Sequence, residues 1–324
     1  MLALVTGGQG FIGSHLCEQL LAAGHRVRVL ARPQSDPGNL AGLAVEFVRG
    51  DLQNPAELGP AVAGADWVFH LAGALKGFTP EDLMRVNGEG TRNLTAACRD
   101  HAPGLQRFIH VSSLAAAGPS PGGAVPRAEA APEQPLTWYG QSKLEAERVV
   151  QASGLASVIL RPPVVFGPRD RDVYSYFRLA NRGLLPIPGW ASRSYSLIYA
   201  PDLAAGILRA AEVPTPAGTV IPLTGAQATW LDLGRRIAAA LGRPGRVLHL
   251  PEAGLRAAGR AADLLARLQG RPQIFSSQKV LEMLAPAWVA SPEPAQRLLG
   301  WTAPTALDSA LDLTVRWYRD HGWL

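Results

Sequence analysis

The sequence predicts an α/β protein, a doubly wound parallel sheet with a smaller, mostly C-terminal substrate-binding region. Short apolar runs alternate with helix-length amphipathic stretches over the first half, and most runs are apolar at nearly every position. Strands of that kind are buried on both faces, as in a parallel sheet covered by helices. Directly after the first run comes the glycine string "TGGQGFIGSH", which turns a strand sharply into a helix.

The strand candidates are "LALVT" from residue 2, "RVRVLA" from 26, "VEFVRG" from 45, "DWVFHLA" from 66, "RFIHVSS" from 107 and "SVILRP" from 157. Helices are expected near residues 11–23, 55–63, 81–101 and 138–153. This assigns residues 1–165 to a dinucleotide-binding unit and 166–324 mainly to substrate binding. The stretch "SLIYAPDLAAGILRAA" reads as a strand and helix that rejoin the sheet, so 195–213 is expected to complete it. Near 252–269 an Arg-punctuated amphipathic helix is expected to pack over the substrate cleft; a membrane-surface position is the alternative.

Composition narrows the function classes. The chain has 324 residues, 47% hydrophobic and 18% charged, enough to bury a large core. A net charge of +5 suits nucleic acid, but the arginines are scattered among 26 acids, so a solvated surface is expected and no nucleic-acid partner. Two cysteines, Cys17 and Cys98, lie on helical stretches and read as buried thiols in a reducing compartment. The histidines lack metal-ligand spacing, so no metal is expected. The N-terminus shows neither a cleavable leader nor a membrane span, which makes a cytoplasmic location the expectation.

In the glycine string, Gly8, Gly10 and Gly13 carry the spacing of a dinucleotide fingerprint, and Gly7, Gly10 and Gly13 a wider one. Glycines allow a tight turn and close approach of backbone to a pyrophosphate, and the following helix offers unpaired N–H groups. After the second strand, "VLARPQS" presents Ala31 and Arg32, with no acid until Asp36. An acid there favours a ribose 2′-hydroxyl and an arginine a 2′-phosphate, so NADP is expected in preference to NAD, with Arg32 on the phosphate. Asp51 and Leu52 follow the third strand and are expected to edge the adenine.

"TWYGQSK" sets Tyr139 and Lys143 four residues apart, on one face of a helix. The chain holds only three lysines (Lys76, Lys143 and Lys279) and uses arginine almost everywhere else, so a lysine here argues for a compact ammonium.

The strings "TGGQGFIG", "GDL", "HLAG", "VNGEGTRN", "VSSLAAAG", "YGQSK" and "LRPPVVFGPRD" occur in the order and approximate spacing of the extended short-chain dehydrogenase/reductase family, which this chain resembles. The resemblance is strong to about residue 213 and looser beyond. It implies a Rossmann domain and a cofactor-binding set of Thr6, Gly7, Gly8, Gly10, Phe11, Ile12, Gly13, Arg32, Asp51, Leu52, Leu71 and Ala72, with Tyr139 and Lys143. It further implies that Tyr139 is the acid/base, Lys143 its partner, Ser113 the hydroxyl on the substrate oxygen, with Ser112 as the alternative, and Asn87 the support of Lys143 and a relay water. A phenol near pKa 10 would then be tuned downward by the ammonium and by the cationic oxidised nicotinamide. A homodimer through the helices near 81–101 and 138–153 is implied as well.

Within that family, "RPPVVFGPRD" and "YSLIYAPDLA" resemble the 3β-hydroxysteroid dehydrogenase and dihydroflavonol reductase branches. Nucleotide-sugar members usually carry an Asn where this chain has Pro163 and Val164. The expectation is an oxidoreductase that interconverts a secondary alcohol and a ketone or aldehyde on a mainly apolar small molecule. A nucleotide-sugar epimerase or dehydratase with retained NAD is the alternative. Trp138, Phe166, Tyr174, Tyr176, Trp190 and Tyr195 are the aromatic candidates for an apolar pocket.

Overall fold

The computed structural model describes residues 1–324. Its strands are β1 (Leu2–Thr6), β2 (Arg26–Ala31), β3 (Val45–Arg49), β4 (Trp67–His70), β5 (Arg107–Val111), β6 (Ser157–Arg161), β7 (Val164–Phe166), β8 (Leu184–Pro188), β9 (Ser194–Tyr199), β10 (Thr219–Pro222), β11 (Gln227–Thr229), β12 (Arg246–Leu250) and β13 (Ala287–Trp288). Seven form a parallel sheet in the order β10-β6-β5-β4-β1-β2-β3. All six runs read from the sequence are in it. The central strands β1 and β4 are buried at every position, whereas Phe47 on the edge strand β3 is 48% exposed.

Alternate residues of β1 enter different cores, as the two-residue period of a strand requires. Ala3 and Val5 pack with Leu16, Leu20 and Val29 beneath Leu203 and Ile207; Leu4 packs with Val68, Phe108 and Ile159 beneath Leu58, Leu94 and Val150. Each such leucine contributes about 1.5–3 kcal/mol on burial. Cys17 and Cys98 lie in these two different cores, both as free thiols. The direction of winding reverses between β1 and β4, and ligands of open α/β sheets bind in the crevice at such a switch point.

One expectation is corrected. The strand expected from 195 onward does not complete the main sheet. It is β9, buried at all six positions in a separate sheet with β7, β11 and β13. Only the helix Ala200–Glu212 returns to the main sheet, and it feeds β10, which pairs parallel to β6 as the true edge strand. The two regions therefore interleave in sequence, and their boundary is not a single point near 165. The helix Glu252–Leu268 packs on the helix Ser277–Leu284 and buries only Leu255, Gly259 and Ala266.

The long helix expected over 81–101 is broken into Pro80–Leu83, a π-turn at Met84–Glu89, and Gly90–His101. A capping box of Thr79 and Asp82 starts it. The π-turn widens the helix at Asn87, a distortion that recurs at functional sites. A separate core of Phe166, Phe177, Leu185, Ile237, Val315 and Tyr318 holds the C-terminal region together.

Candidate active site

The glycine string forms a tight loop at the switch point. Gly7 has φ +72°, and a Cβ there would lie 2.8 Å from the Ala72 nitrogen, so Gly7 lets the Leu71–Ala72 backbone pass close by. A Cβ on Gly13 would collide with the Gly7 carbonyl oxygen. Gly10 is the N-cap of the helix Phe11–Ala22, which has no side-chain cap and no acid in its first turn. Its hydrogen bonding begins with Ser14 N to Gly10 O, which leaves the N–H groups of Phe11, Ile12 and Gly13 for an anion. Gly8 differs from the others: its α-carbon faces Val29 and Cys17, a packing role.

Thr6 and His70, register partners on β1 and β4, support this loop from below. Thr91 Oγ1 donates to the Asn87 carbonyl at 2.5 Å, so His70 Nε2 donates to Thr91 at 2.9 Å. His70 Nδ1 therefore accepts from Thr6 Oγ1 at 2.8 Å, and Thr6 Oγ1 accepts the Ala72 N–H at 3.2 Å. Burial, and secondarily Lys143, push the His70 pKa down to about 3, which keeps the ring neutral for this chain of bonds. Sequence reasoning missed His70 and Thr91; the only signal was a histidine within the apolar strand "WVFH".

Beyond β2, Arg32 is exposed and its side chain forms no ion pair or hydrogen bond within the chain. Asn39 Nδ2 donates to the Gln9 carbonyl at 2.9 Å and ties this segment to the glycine loop. Asp51 Oδ1 accepts from Gln53 N at 3.0 Å, which makes it a turn former. Leu52 is 7% exposed, with its side chain in the core, so an adenine contact falls to its backbone. The close-approach glycines and the free helix N–H groups fit a dinucleotide.

The helix Trp138–Ala152 is capped by Thr137, whose Oγ1 accepts from Gly140 N at 3.1 Å. Gly140 has no room for a Cβ, which would run into the Ala115 carbonyl. That contact brings the helix onto the Leu114–Ala117 turn, where Ser113 is the N-cap and accepts from Ala115 N at 3.1 Å. Ser113 thereby lies beside Tyr139, and its hydroxyl stabilises the phenolate. Burial outweighs this and Glu282 adds to it, so the Tyr139 pKa is pushed up to about 12, and Lys143 alone does not tune it downward. Lys143, 4% exposed, donates from Nζ to the Val111 carbonyl at 2.8 Å. Burial lowers its pKa to about 8 against the opposing charge of Glu147.

The Asn87 side chain makes no direct hydrogen bond to Lys143. Its Oδ1 accepts from Ala74 N at 2.7 Å, and its Nδ2 donates to Ala74 O at 3.0 Å and to Ser142 Oγ at 2.8 Å. Ser142 in turn donates to the Tyr139 carbonyl at 2.8 Å. Asn87 is thus a clamp between the strand-β4 loop and the residue before Lys143. Ser112 is also engaged elsewhere: it bonds Glu147, which Arg161 holds on the far side.

Burial raises the pKa of Asp172, and Lys279 and Lys76 oppose that rise. Lys279 pairs with Glu282 at 2.8 Å. Of the aromatic candidates, Phe166 is core, Tyr174 donates to the Trp323 carbonyl, Tyr195 donates to Met283 O at 3.0 Å, and Trp190 is exposed and stacked on His249. Trp138 is partly buried, and its backbone N–H donates to Gln278 Oε1 at 3.0 Å.

A parallel sheet with a glycine loop at its switch point, and a Ser, Tyr and Lys brought together beside it, define a dinucleotide-dependent enzyme of the extended short-chain dehydrogenase/reductase class. The chain belongs to the NAD dependent epimerase/dehydratase family, whose model matches residues 3–221. A ceramide reductase of Caulobacter vibrioides (strain NA1000 / CB15N) is 35% identical and covers 99% of this chain and 95% of its own. A 2-alkyl-3-oxoalkanoate reductase of Stenotrophomonas maltophilia (strain K279a) is 30% identical and covers 96% and 97%. The solved structure of gox2253 superposes with a TM-score of 0.83 at 30% identity, covering 100% of this chain and 99% of that one.

Proposed function

We propose that this chain is an NADP-preferring oxidoreductase that interconverts a ketone or aldehyde and an alcohol on a mainly apolar, chain-bearing small molecule. The observation that carries the reading is the meeting of Ser113 and Tyr139 at the Gly140 contact, with Lys143 buried one turn along the same helix. Two relatives that span the whole chain are named for reduction of alkyl-bearing substrates, which supports the direction and the substrate class.

Thr6, the Gly7–Gly13 loop with Phe11 and Ile12, and the Leu71–Ala72 backbone would hold the dinucleotide, with Arg32 on its 2′-phosphate. When bound, its nicotinamide supplies hydride to the carbonyl carbon or accepts it in reverse. Ser113 hydrogen-bonds the substrate oxygen as negative charge develops there. Tyr139, protonated across the neutral range because its pKa is high, donates the proton to that oxygen. Lys143, one turn along the same helix, would favour the phenolate left behind through its positive charge. Asn87 positions this helix through Ser142. A homodimer through the helices Gly90–His101 and Trp138–Ala152 belongs to the same reading.

The test is a panel of long-chain and aromatic ketones with NADPH and NADH on protein stripped of endogenous nucleotide. Turnover with NADPH consumed in equal amount to product is expected. A protein that retains NAD through purification and shows no net oxidation or reduction would be an epimerase or dehydratase instead.

A further inference from the structure

We infer that the hairpin of helices Glu252–Leu268 and Ser277–Leu284 seats this protein on the surface of an anionic lipid bilayer. A helix on a globular core ordinarily turns its polar face outward. Here Leu255, Gly259 and Ala266 face the partner helix, while Leu264, Leu265 and Leu268 on the other side are 61%, 52% and 78% exposed. The loop that follows adds Ile274 and Phe275 at 41% and 39% exposure, and Leu281 on the second helix is 49% exposed.

The charges in this segment are sorted. Its acids are engaged within the protein: Glu252 pairs with Arg193 at 2.6 Å, Asp263 accepts from Ser277 N at 3.2 Å, and Glu282 pairs with Lys279. Arg256, Arg260, Arg267 and Arg271 are all exposed, and only Arg256 has an acid in reach, Glu252 at 3.4 Å. On the helical wheel Arg256, Arg260 and Arg267 fall together along one border of the exposed leucine sector. Apolar side chains bordered by arginines are what an amphipathic helix offers to anionic headgroups. A second copy of this chain docked through a two-fold axis would set the arginine borders against each other. Nucleic acid would leave the leucines unexplained.

The same hairpin touches the catalytic wall. Gln278 bonds the Trp138 N–H, and Glu282 acts on Tyr139. A groove of about 430 Å³ between the two helices is lined by Arg256, Arg260, Leu281, Leu284 and Leu136, the last only three residues before Tyr139. Docking there would let an apolar substrate pass from the bilayer toward the cleft without crossing bulk water; that clause rests on the proposed function, whereas the docking itself does not.

The experiment is flotation of the full chain with vesicles of phosphatidylcholine alone, or with phosphatidylglycerol as about one lipid in three. Flotation with the anionic vesicles and little with the neutral ones is expected. The triple variant Leu264→Ser, Leu265→Ser, Leu268→Ser should lower the partition coefficient about tenfold or more. Arg260→Glu with Arg267→Glu should lower it similarly, whereas Arg99→Glu with Arg316→Glu, the same charge change on other helices, should leave it within about twofold. All seven positions are exposed, and unchanged thermal melts confirm folding. Absence of flotation, survival of binding in the leucine variant, or equal loss in the control pair would each overturn the proposal. So would a wild-type dimer that ignores vesicles and is dispersed by the leucine substitutions. Flotation is read without turnover, so its failure and that of the catalytic reading are separate results.

Discussion

Ser112 Oγ donates to Glu147 Oε1 at 2.5 Å, and Arg161 grips the same carboxylate from Nε at 2.9 Å and Nη2 at 2.6 Å. Neighbouring serines therefore have different work. Ser112 sits in a buried charged network, while Ser113 faces Tyr139. Ser112→Ala is expected to cost about 1–3 kcal/mol of stability, because it deletes a hydrogen bond to a buried carboxylate, and to leave kcat within a few-fold. Ser113→Ala removes the cap of the Leu114–Ala117 turn, a loss of about 1 kcal/mol, and is expected to lower kcat about 10²- to 10³-fold. Melts and steady-state rates on both variants check this; the opposite pattern would exchange the two roles.

Tyr139→Phe removes the proton donor and keeps the ring. Turnover should fall about 10²- to 10⁴-fold, while NADPH affinity, measured by fluorescence titration, stays close to wild type. Wild-type turnover in this variant would remove Tyr139 from the acid/base role.

The buried Lys143 ammonium sets a pH limit. Its pKa of about 8 lies below the ordinary 10.5, and Tyr139 keeps its proton to about 12. For ketone reduction, kcat/KM should stay level below pH 8 and decline as pH rises through it. The stability sign follows from linkage. Unfolded chain binds this proton up to about 10.5, so raising pH from 8 to 10.5 favours folding, and burying the ammonium costs most below pH 8. Lys143→Met should therefore raise Tm more at pH 7 than at pH 10, while abolishing turnover. A gain that is equal at both pH values would show that Lys143 is not strained by burial.

Gly140→Ala adds one methyl against the Ala115 carbonyl. The helix must retreat from the Ser113 turn, and a shift on the order of 1 Å between reacting groups costs about a hundredfold in rate. The expected result is a loss in kcat with little change in cofactor affinity. Unimpaired kcat would mean that the Ser113–Tyr139 distance does not depend on this contact.

Arg32→Asp should lower kcat/KM with NADPH by about ten- to a hundredfold, the worth of one charge-assisted hydrogen bond, and improve the ratio in favour of NADH. Equal use of the two cofactors before and after the change would place Arg32 in solvent.

Much of this protein is written locally. The strands β1, β4, β5 and β6 are legible because a strand covered on both faces is apolar at nearly every position, and the glycine loop because only glycine permits the approach of Ala72 to Gly7. The four-residue spacing of Tyr139 and Lys143 puts them on one helix face whatever surrounds them. Tertiary structure decided the rest. Asn87 bonds Ser142, 55 residues away, in preference to Lys143; Ser112 rather than Ser113 takes Glu147; β10 rather than β9 closes the sheet; and the helix Glu252–Leu268 turns its leucines outward. The physical reason is common to all four. Periodicity and backbone preference act over one or two turns of chain, whereas the choice between equally polar or equally apolar partners is made by which distant element packs alongside.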